Sequence, residues 1–249
     1  MDKCLLLDGD VLAYKFAFAA EVPIEWEDGL WTYHADARES IAVLDEFIDD
    51  LKDRFKTVRY RTFLSSGVSF RKKVWEGYKA NRSGKRKPLL LSRLREHLMR
   101  YHNVEMQLHI EADDLMGIAG NRKKDMVICT IDKDLQTIPG SHYNWDTQVS
   151  FKVTPKQAWM KFYEQTLSGD AVDGYPGCPG IGPKRGGKIV QEAYEGSRKP
   201  HQSVWQAIVG AYEKAGKTEE DALAQARCAY ILRTQKDLKD GEARLWTPR

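Results

Sequence analysis

The sequence contains no apolar run approaching the roughly 20 residues that a membrane-spanning helix needs. Its opening stretch, MDKCLLLDGDVLAYKF, holds one short apolar run broken by Asp8 and Asp10, which suits neither a signal peptide nor a membrane span. A cytoplasmic protein with no membrane contact is expected. Cysteine is sparse: Cys4, Cys129, Cys178 and Cys228 lie far apart with no CxxC pair, and the histidines show no metal-ligand spacing. Disulfides and structural zinc are therefore not expected. Low-complexity tracts and long-period repeats are missing too, which removes linker-rich and solenoid architectures. What remains is an ordinary globular composition, 42% hydrophobic and 10% aromatic over 249 residues, enough to bury a full core along the whole chain.

Overall charge is weak, at +3, but its distribution is uneven. From Arg71 to Lys87, eight cations (Arg71, Lys72, Lys73, Lys79, Arg82, Lys85, Arg86, Lys87) face the single acid Glu76, so this segment carries +7 and the rest of the chain −4. Such a segment suits contact with phosphates, and it equally suits a solvated loop.

Hydrophobic periodicity divides the chain near residue 152. Before it, KCLLL (3–7) and MVICT (126–130) are short apolar runs that end in acidic residues, as buried parallel strands do. Residues 58–64 and 104–108 read as further strands. Helical spacing spans 36–55 through Ile41, Leu44, Ile48, Leu51 and Phe55; helices are also expected over 89–101 and from about 112. This alternation predicts an α/β domain with a largely parallel sheet. Beyond 152, residues 155–167, 184–194, 204–215 and 218–233 all read as helical, predicting an all-α second domain.

Acids cluster where strands end or helices begin. Asp8 follows the first strand, Asp132 and Asp134 follow the 126–130 strand, and Glu111, Asp113 and Asp114 open a helix. Asp170 and Asp173 lie in GDAVDG. In open α/β sheets the carboxyl ends of the strands border the binding crevice, so these acids can converge from distant positions. Gathered together they repel one another unless cations neutralise them, and oxygen-only ligands suit Mg²⁺ or Mn²⁺. Two such ions support phosphodiester hydrolysis. Any one of these acids alone is equally a helix-opening or loop residue. Asp10 is open between a plain residue and an outer partner of the site.

The segment YPGCPGIGPKRGGKIV (175–190) places Gly177, Gly180 and Gly182 among three prolines ahead of Lys184, Arg185 and Lys188. Glycines admit a phosphate close to the backbone, and amides opening a helix attract it. The pattern is a helix-hairpin-helix signature that grips nucleic-acid backbone without reading bases, with a plain interhelix turn as the alternative.

LLLDGD, FRKKVWEGYKANR, EADDLMG, TIDKDLQTI and GDAVDGYPGCPGIGPK, in that order over residues 5–184, resemble the motifs of the 5′ nuclease superfamily of flap endonucleases, polymerase I 5′ nuclease domains and phage exonucleases. The tail from Ser203 resembles the gene 6 type of 5′-3′ exonuclease of short-tailed phages. The resemblance implies a PIN-like α/β nuclease domain over 1–152 with a basic arch at about 70–100, then a helical domain over 153–249 with its hairpin at about 168–195. It implies that Asp8, Glu111, Asp113, Asp114, Asp132 and Asp134 surround a first metal, and that Asp170 and Asp173 extend to a second. Lys79 and Arg82 would contact the scissile phosphate, and Tyr78 would stack on a terminal base. Arg71 and Lys72 would join Gly177, Gly180, Gly182, Lys184, Arg185 and Lys188 in contacting DNA, with K⁺ as a further ion at the hairpin. Relatives carry an acid near the end of the second strand, where this chain has Leu64, Ser65 and Ser66. The implied activity is that of a monomeric 5′-3′ exodeoxyribonuclease acting on duplex, nicked or gapped DNA and on RNA in RNA-DNA hybrids. A flap endonuclease, a noncatalytic DNA-binding protein and a PIN-fold ribonuclease are the alternatives.

Overall fold

The structure, a computed structural model, describes residues 3–248. In chain order it runs β1 (Cys4–Asp8), α1 (Gly9–Ala19), a hairpin of β2 (Val22–Glu25) and β3 (Trp31–His34), α2 (Ala37–Phe55), β4 (Tyr60–Phe63), α3 (Arg71–Val74), α4 (Leu91–Tyr101), β5 (Val104–Glu105), α5 (Ala112–Gly120), β6 (Met126–Cys129), β7 (Gly140–Asn144) and β8 (Val149–Val153). Four longer helices follow: α6 (Pro155–Ser168), α7 (Pro183–Glu195), α8 (Pro200–Lys214) and α9 (Glu219–Ala229), then a small ribbon of β9 (Leu238–Lys239) and β10 (Glu242–Ala243). Among the described residues no helix is long and apolar enough to cross a membrane.

The central sheet has the order β5-β4-β1-β6-β7-β8, parallel throughout except for β8, which pairs antiparallel with β7. Its middle strands are continuously apolar because both faces are covered. Leu5 and Leu7 point into one cluster with Leu12, Phe16, Leu44, Ile48, Leu94 and Leu98 from α1, α2 and α4, whereas Leu6, Phe63 and Ile128 face Met116 and Ala119 of α5. The β1–α1 turn requires glycine, since a Cβ on Gly9 would lie 2.6 Å from the Phe63 carbonyl oxygen. This tight turn places Asp8 at the carboxyl edge of the central strand.

The sheet-then-helices order and the positions of the expected strands and helices agree with the sequence reading, which did not mark α1, β7 or β8; three further differences stand out. The first is the β2–β3 hairpin, which the periodicity did not reveal: Trp26, Trp31 and Tyr33 are exposed and the hairpin buries no apolar face. Arg86 docks the basic segment against it, pairing with Glu21 and lying 4.2 Å from the Tyr33 ring centroid. The second is the expected arch. Residues 71–90 form only the four-residue α3, a 3₁₀ turn at Ala80–Arg82 and turns, while α4 lies in the core through Leu91, Leu94 and Leu98. The third is the last helix, which stops at Ala229 rather than 233. Tyr230 to Leu232 are buried outside it because the Tyr230 carbonyl accepts from Arg71 and the Leu232 N–H donates to Asp114. Trp159, Phe162, Tyr163, Trp205, Ile208 and Tyr212 of α6 and α8 share one apolar cluster with Phe70, Tyr78 and Ile110, so the helical part packs directly on the edge of the α/β part that carries the acids.

Candidate active site

Four turns bring the acids together. Asp8 caps α1, accepting from the Val11 N–H at 3.1 Å and from the Thr130 hydroxyl at 2.7 Å. Glu111 caps α5, whose first turn carries Asp113 and Asp114. Asp132 accepts from the Asp134 N–H at 2.8 Å at the end of β6, and Asp134 in turn accepts from Gln165 of α6 at 2.6 Å. Asp170 closes its own loop, accepting from the Val172 and Asp173 N–H groups. Thr130 and Gln165, which hold two of these acids in place, carry no motif that sequence reasoning could have used.

The electrostatics separate two groups. Burial raises the proton affinity of Asp8 to a pKa of about 7, with the Asp10 and Asp132 charges adding to it against the lowering by Thr130 and Val11. Burial likewise raises Asp113 well above the carboxylate range, helped by Asp132 and Asp8. Asp132 is raised by burial and by Asp173 and Asp170, and Asp134 to about 7 by burial and by Asp132, Asp170 and Asp173. These acids press on one another more than Lys79 offsets, the condition under which a carboxylate cluster takes up hard divalent ions. All donors are oxygens, which fits Mg²⁺ or Mn²⁺.

Glu111 behaves oppositely. Burial pushes it up, but the Arg71 and Lys79 charges outweigh that and hold it at about 2. Its Oε2 accepts from Ser69 at 2.9 Å, Arg71 at 2.7 Å and Tyr78 at 3.0 Å, and its Oε1 pairs with the Lys79 ammonium. Asp114, fully buried, is paired through both oxygens with Arg71. Glu111 and Asp114 thus take part in a buried ion network with Arg71 and Lys79, at the edge of the acids expected to hold metal. The same network engages two residues expected at the DNA surface. Arg71 is 2% exposed, spending its donors on Glu111, Asp114 and the Cys228 and Tyr230 carbonyls, and Tyr78 is 2% exposed with its hydroxyl donating to Glu111 and Asp173. The FRKK motif hid this because a sequence shows charge but not burial.

Lys79 and Arg82 are at the rim. The Lys79 N–H donates to the Asp173 carbonyl at 2.7 Å, its ammonium is 3.6 Å from the Asp173 carboxylate, and Arg82 pairs with the same carboxylate at 2.7 Å. Asn81 and Trp75 also donate to the 171–174 backbone, so the basic segment is fastened to the loop that bears Asp170 and Asp173. Asp173 thus has its oxygens engaged by Tyr78, Lys79 and Arg82, while Lys72 projects from α3 into solvent. Asp10 accepts from the Ser65 N–H at 2.9 Å and pairs with Arg95, beside Asp8 but outside the cluster. Ser65 accepts from the Ala112 N–H at 3.0 Å at the start of α5, whereas Ser66 accepts from the His109 N–H and faces away from that turn.

The hairpin between α6 and α7 has one buried and one open side. Gly177 is buried, its N–H donating to Gln225, and a Cβ there would lie 2.3 Å from the Gly169 nitrogen, so packing alone requires a glycine there. Gly180 and Gly182 have open space where a Cβ would be, and Lys184, Arg185 and Lys188 project from the first turns of α7 beside them.

Residues 3–163 match the family described as 5′-3′ exonuclease, N-terminal resolvase-like domain. The exonuclease of Escherichia phage T7 is 29% identical over 282 aligned residues, covering 98% of this chain and 93% of that protein. The exodeoxyribonuclease of Enterobacteria phage T3 is also 29% identical, with the same coverage. In fold, the chain is similar to phage T5 5′-exonuclease with zinc bound, with a TM-score of 0.61 at 15% identity over 91% of this chain and 93% of that one. Phage T5 flap endonuclease in complex with DNA and metal ions gives 0.60 at 16% identity, covering 91% and 90%. Because the matched segment spans the whole central sheet and the acids from Asp8 to Asp134, this chain belongs to the 5′-3′ exonuclease family and is a nuclease.

Proposed function

We propose that this nuclease is a divalent-metal-dependent 5′-3′ exodeoxyribonuclease that hydrolyses phosphodiester bonds from the 5′ ends of duplex, nicked or gapped DNA, with RNA in RNA-DNA hybrids as a second substrate. The observation that carries this reading is the convergence of Asp8, Asp113, Asp132 and Asp134, each with raised proton affinity, beside a rim bearing Lys79 and Arg82. Asp8, Asp113, Asp132 and Asp134 would hold the first Mg²⁺ or Mn²⁺, and Asp134, Asp170 and Asp173 would face a second. When bound, such ions activate water and neutralise charge on the phosphate and the leaving oxygen.

The chain's own residues supply position and charge. Lys79, with burial opposing but Glu111 and Asp173 favouring its charged form, stays an ammonium at the rim and offers a hydrogen bond to a non-bridging phosphate oxygen. Arg82, half-exposed, is the second donor once a phosphate competes for its pair with Asp173. Residues 1–152 would carry the chemistry and residues 153–249 the grip on DNA, through Gly180, Gly182, Lys184, Arg185 and Lys188, with K⁺ as a candidate ion at that hairpin. The relatives named exonuclease and exodeoxyribonuclease support the reaction class.

Digestion of 5′-labelled duplex, nicked, gapped and flapped DNA, with and without Mg²⁺, tests the proposal. Short labelled products from duplex, nicked and gapped DNA that depend on Mg²⁺ are expected. Cleavage confined to the flap junction would assign a flap endonuclease instead, and an RNA-DNA hybrid in the same assay tests the second substrate.

A further inference from the structure

Outside the candidate active site, Asp45 on α2 meets two histidines of the α4 end. Asp45 Oδ1 lies 2.8 Å from Nε2 of His97 and 2.8 Å from Nε2 of His102. One ligand atom from each of the three lies within 4.8 Å of the other two. His97 and His102 have side chains only 11% and 10% exposed, while Asp45 is 41% exposed. The two imidazoles are thus shielded, and the carboxylate leaves one side of the triangle open to water. His102 is further oriented from behind, with its Nδ1 3.2 Å from the Tyr60 hydroxyl of β4.

We propose that Asp45, His97 and His102 form a zinc site that clasps α2 to α4, with water as the fourth ligand. Two imidazole nitrogens and one carboxylate oxygen suit Zn²⁺, whereas Mg²⁺ prefers oxygens alone. Zinc–nitrogen bonds of roughly 2.0–2.1 Å place tetrahedral ligands about 3.3 Å apart, so the three atoms need only small rotamer shifts to close on an ion. In binding, each neutral imidazole presents the Nε2 lone pair and keeps its proton on Nδ1; at His102 that Nδ1–H donates to the Tyr60 oxygen. This is the outer hydrogen bond that fixes the tautomer of a zinc-bound histidine. The sequence conceals the site because His97 and His102 are five apart, one more than the spacing that aligns two ligands on a helix. The backbone leaves α4 at His102, at φ −125° and ψ 38°, and this turns the second imidazole back towards α2. The clasp has a structural reach: α4 also carries Arg95, which pairs with Asp10 and donates to the Ser65 carbonyl near the acid cluster.

Co²⁺ titration of the metal-free, full-length protein, with Mg²⁺ in large excess to occupy the carboxylates, tests the site. Four-coordinate Co²⁺ absorbs visible light strongly, and six-coordinate Co²⁺ among carboxylates does so weakly. One equivalent of strong absorption, displaced by Zn²⁺, is expected, together with a rise in Tm on adding Zn²⁺. His97→Gln and Asp45→Asn should each lose that spectrum, with Co²⁺ affinity falling roughly a hundredfold or more, while Mg²⁺-dependent nuclease activity is unchanged. Circular dichroism identifies which variants are folded, and Asp45→Asn, at an exposed helix position, keeps a hydrogen-bond acceptor for both imidazoles. Weak absorption only in the wild type overturns the proposal, as does strong absorption that persists in either folded variant.

Discussion

Arg71 meets Asp114 end-on, with Nη1 2.8 Å from Oδ2 and Nη2 2.8 Å from Oδ1, in a site where both side chains are almost fully enclosed. One guanidinium thereby joins α3 to the start of α5, and through the Cys228 and Tyr230 carbonyls to the exit of α9. Removing it would leave the buried Asp114 without a counter-charge and take one of two cations from Glu111. Arg71→Ala is therefore expected to cost about 3–5 kcal/mol of stability by denaturant titration, and Arg71→Lys to recover little because an ammonium cannot span both acids and both carbonyls. Unchanged stability with weakened DNA binding would restore Arg71 to the DNA surface.

Asp132→Asn should abolish cleavage while DNA binding in Ca²⁺ or EDTA stays within about twofold, because the carboxylate lies in the acid cluster proposed to hold metal rather than on the basic rim. Asp8→Asn should behave alike. Substantial turnover in saturating Mg²⁺ by either folded variant would remove that residue from the metal set.

The raised acids make stability depend on pH in a defined direction. Asp8 and Asp134, pushed up to about 7, and Asp113 and Asp132, also raised, keep protons in the folded state that the unfolded chain gives up nearer its ordinary range. Their contribution is present below the unfolded carboxylate pKa and is lost as pH rises through about 7. Divalent ions replace those protons. The Tm gain on adding Mg²⁺ to metal-free protein should therefore be larger at about pH 8 than at about pH 5. Equal gains at both, by differential scanning calorimetry, would contradict the cluster electrostatics.

Lys79→Ala should lower kcat by about 10²-fold or more with a smaller change in DNA affinity, since its hydrogen bond strengthens as charge develops on the phosphate. Tyr78→Phe, by contrast, should weaken folding by about 1–3 kcal/mol, because its enclosed hydroxyl is a donor that Glu111 and Asp173 lose. Single-turnover rates and urea titrations separate the two effects.

Lys184→Ala and Arg185→Ala should weaken binding equally across DNA sequences. Each should reduce the slope of log affinity against log salt by about one unit, because one phosphate fewer is neutralised and its counterion stays in place. Gly177→Ala should instead impair folding, because its Cβ would meet the backbone at Gly169 and Ser168. A change of sequence preference in the lysine or arginine variant would refute a grip on backbone alone.

Local patterns in the chain were sufficient for much of this. The apolar runs at 3–7 and 126–130 are buried strands because a two-sided parallel sheet leaves no polar face, and acids placed just after such strands arrive at its carboxyl edge. The glycine and proline spacing marked the turn between α6 and α7 because positive φ and a proline-opened helix are local requirements. Tertiary packing alone decided which charges are functional. Eight cations between Arg71 and Lys87 look alike in sequence, yet Arg71 is held by two distant segments, Lys79 is held between Glu111 and Asp173, and Arg86 is fastened to a hairpin. Burial and ion pairing depend on residues up to 159 positions away, so no window of sequence contains them. For the same reason Glu111 and Asp114 could not be told from Asp113, their neighbour in one helical turn: the rotation of α5 against α3 turns two carboxylates towards Arg71 and leaves the third among the acids.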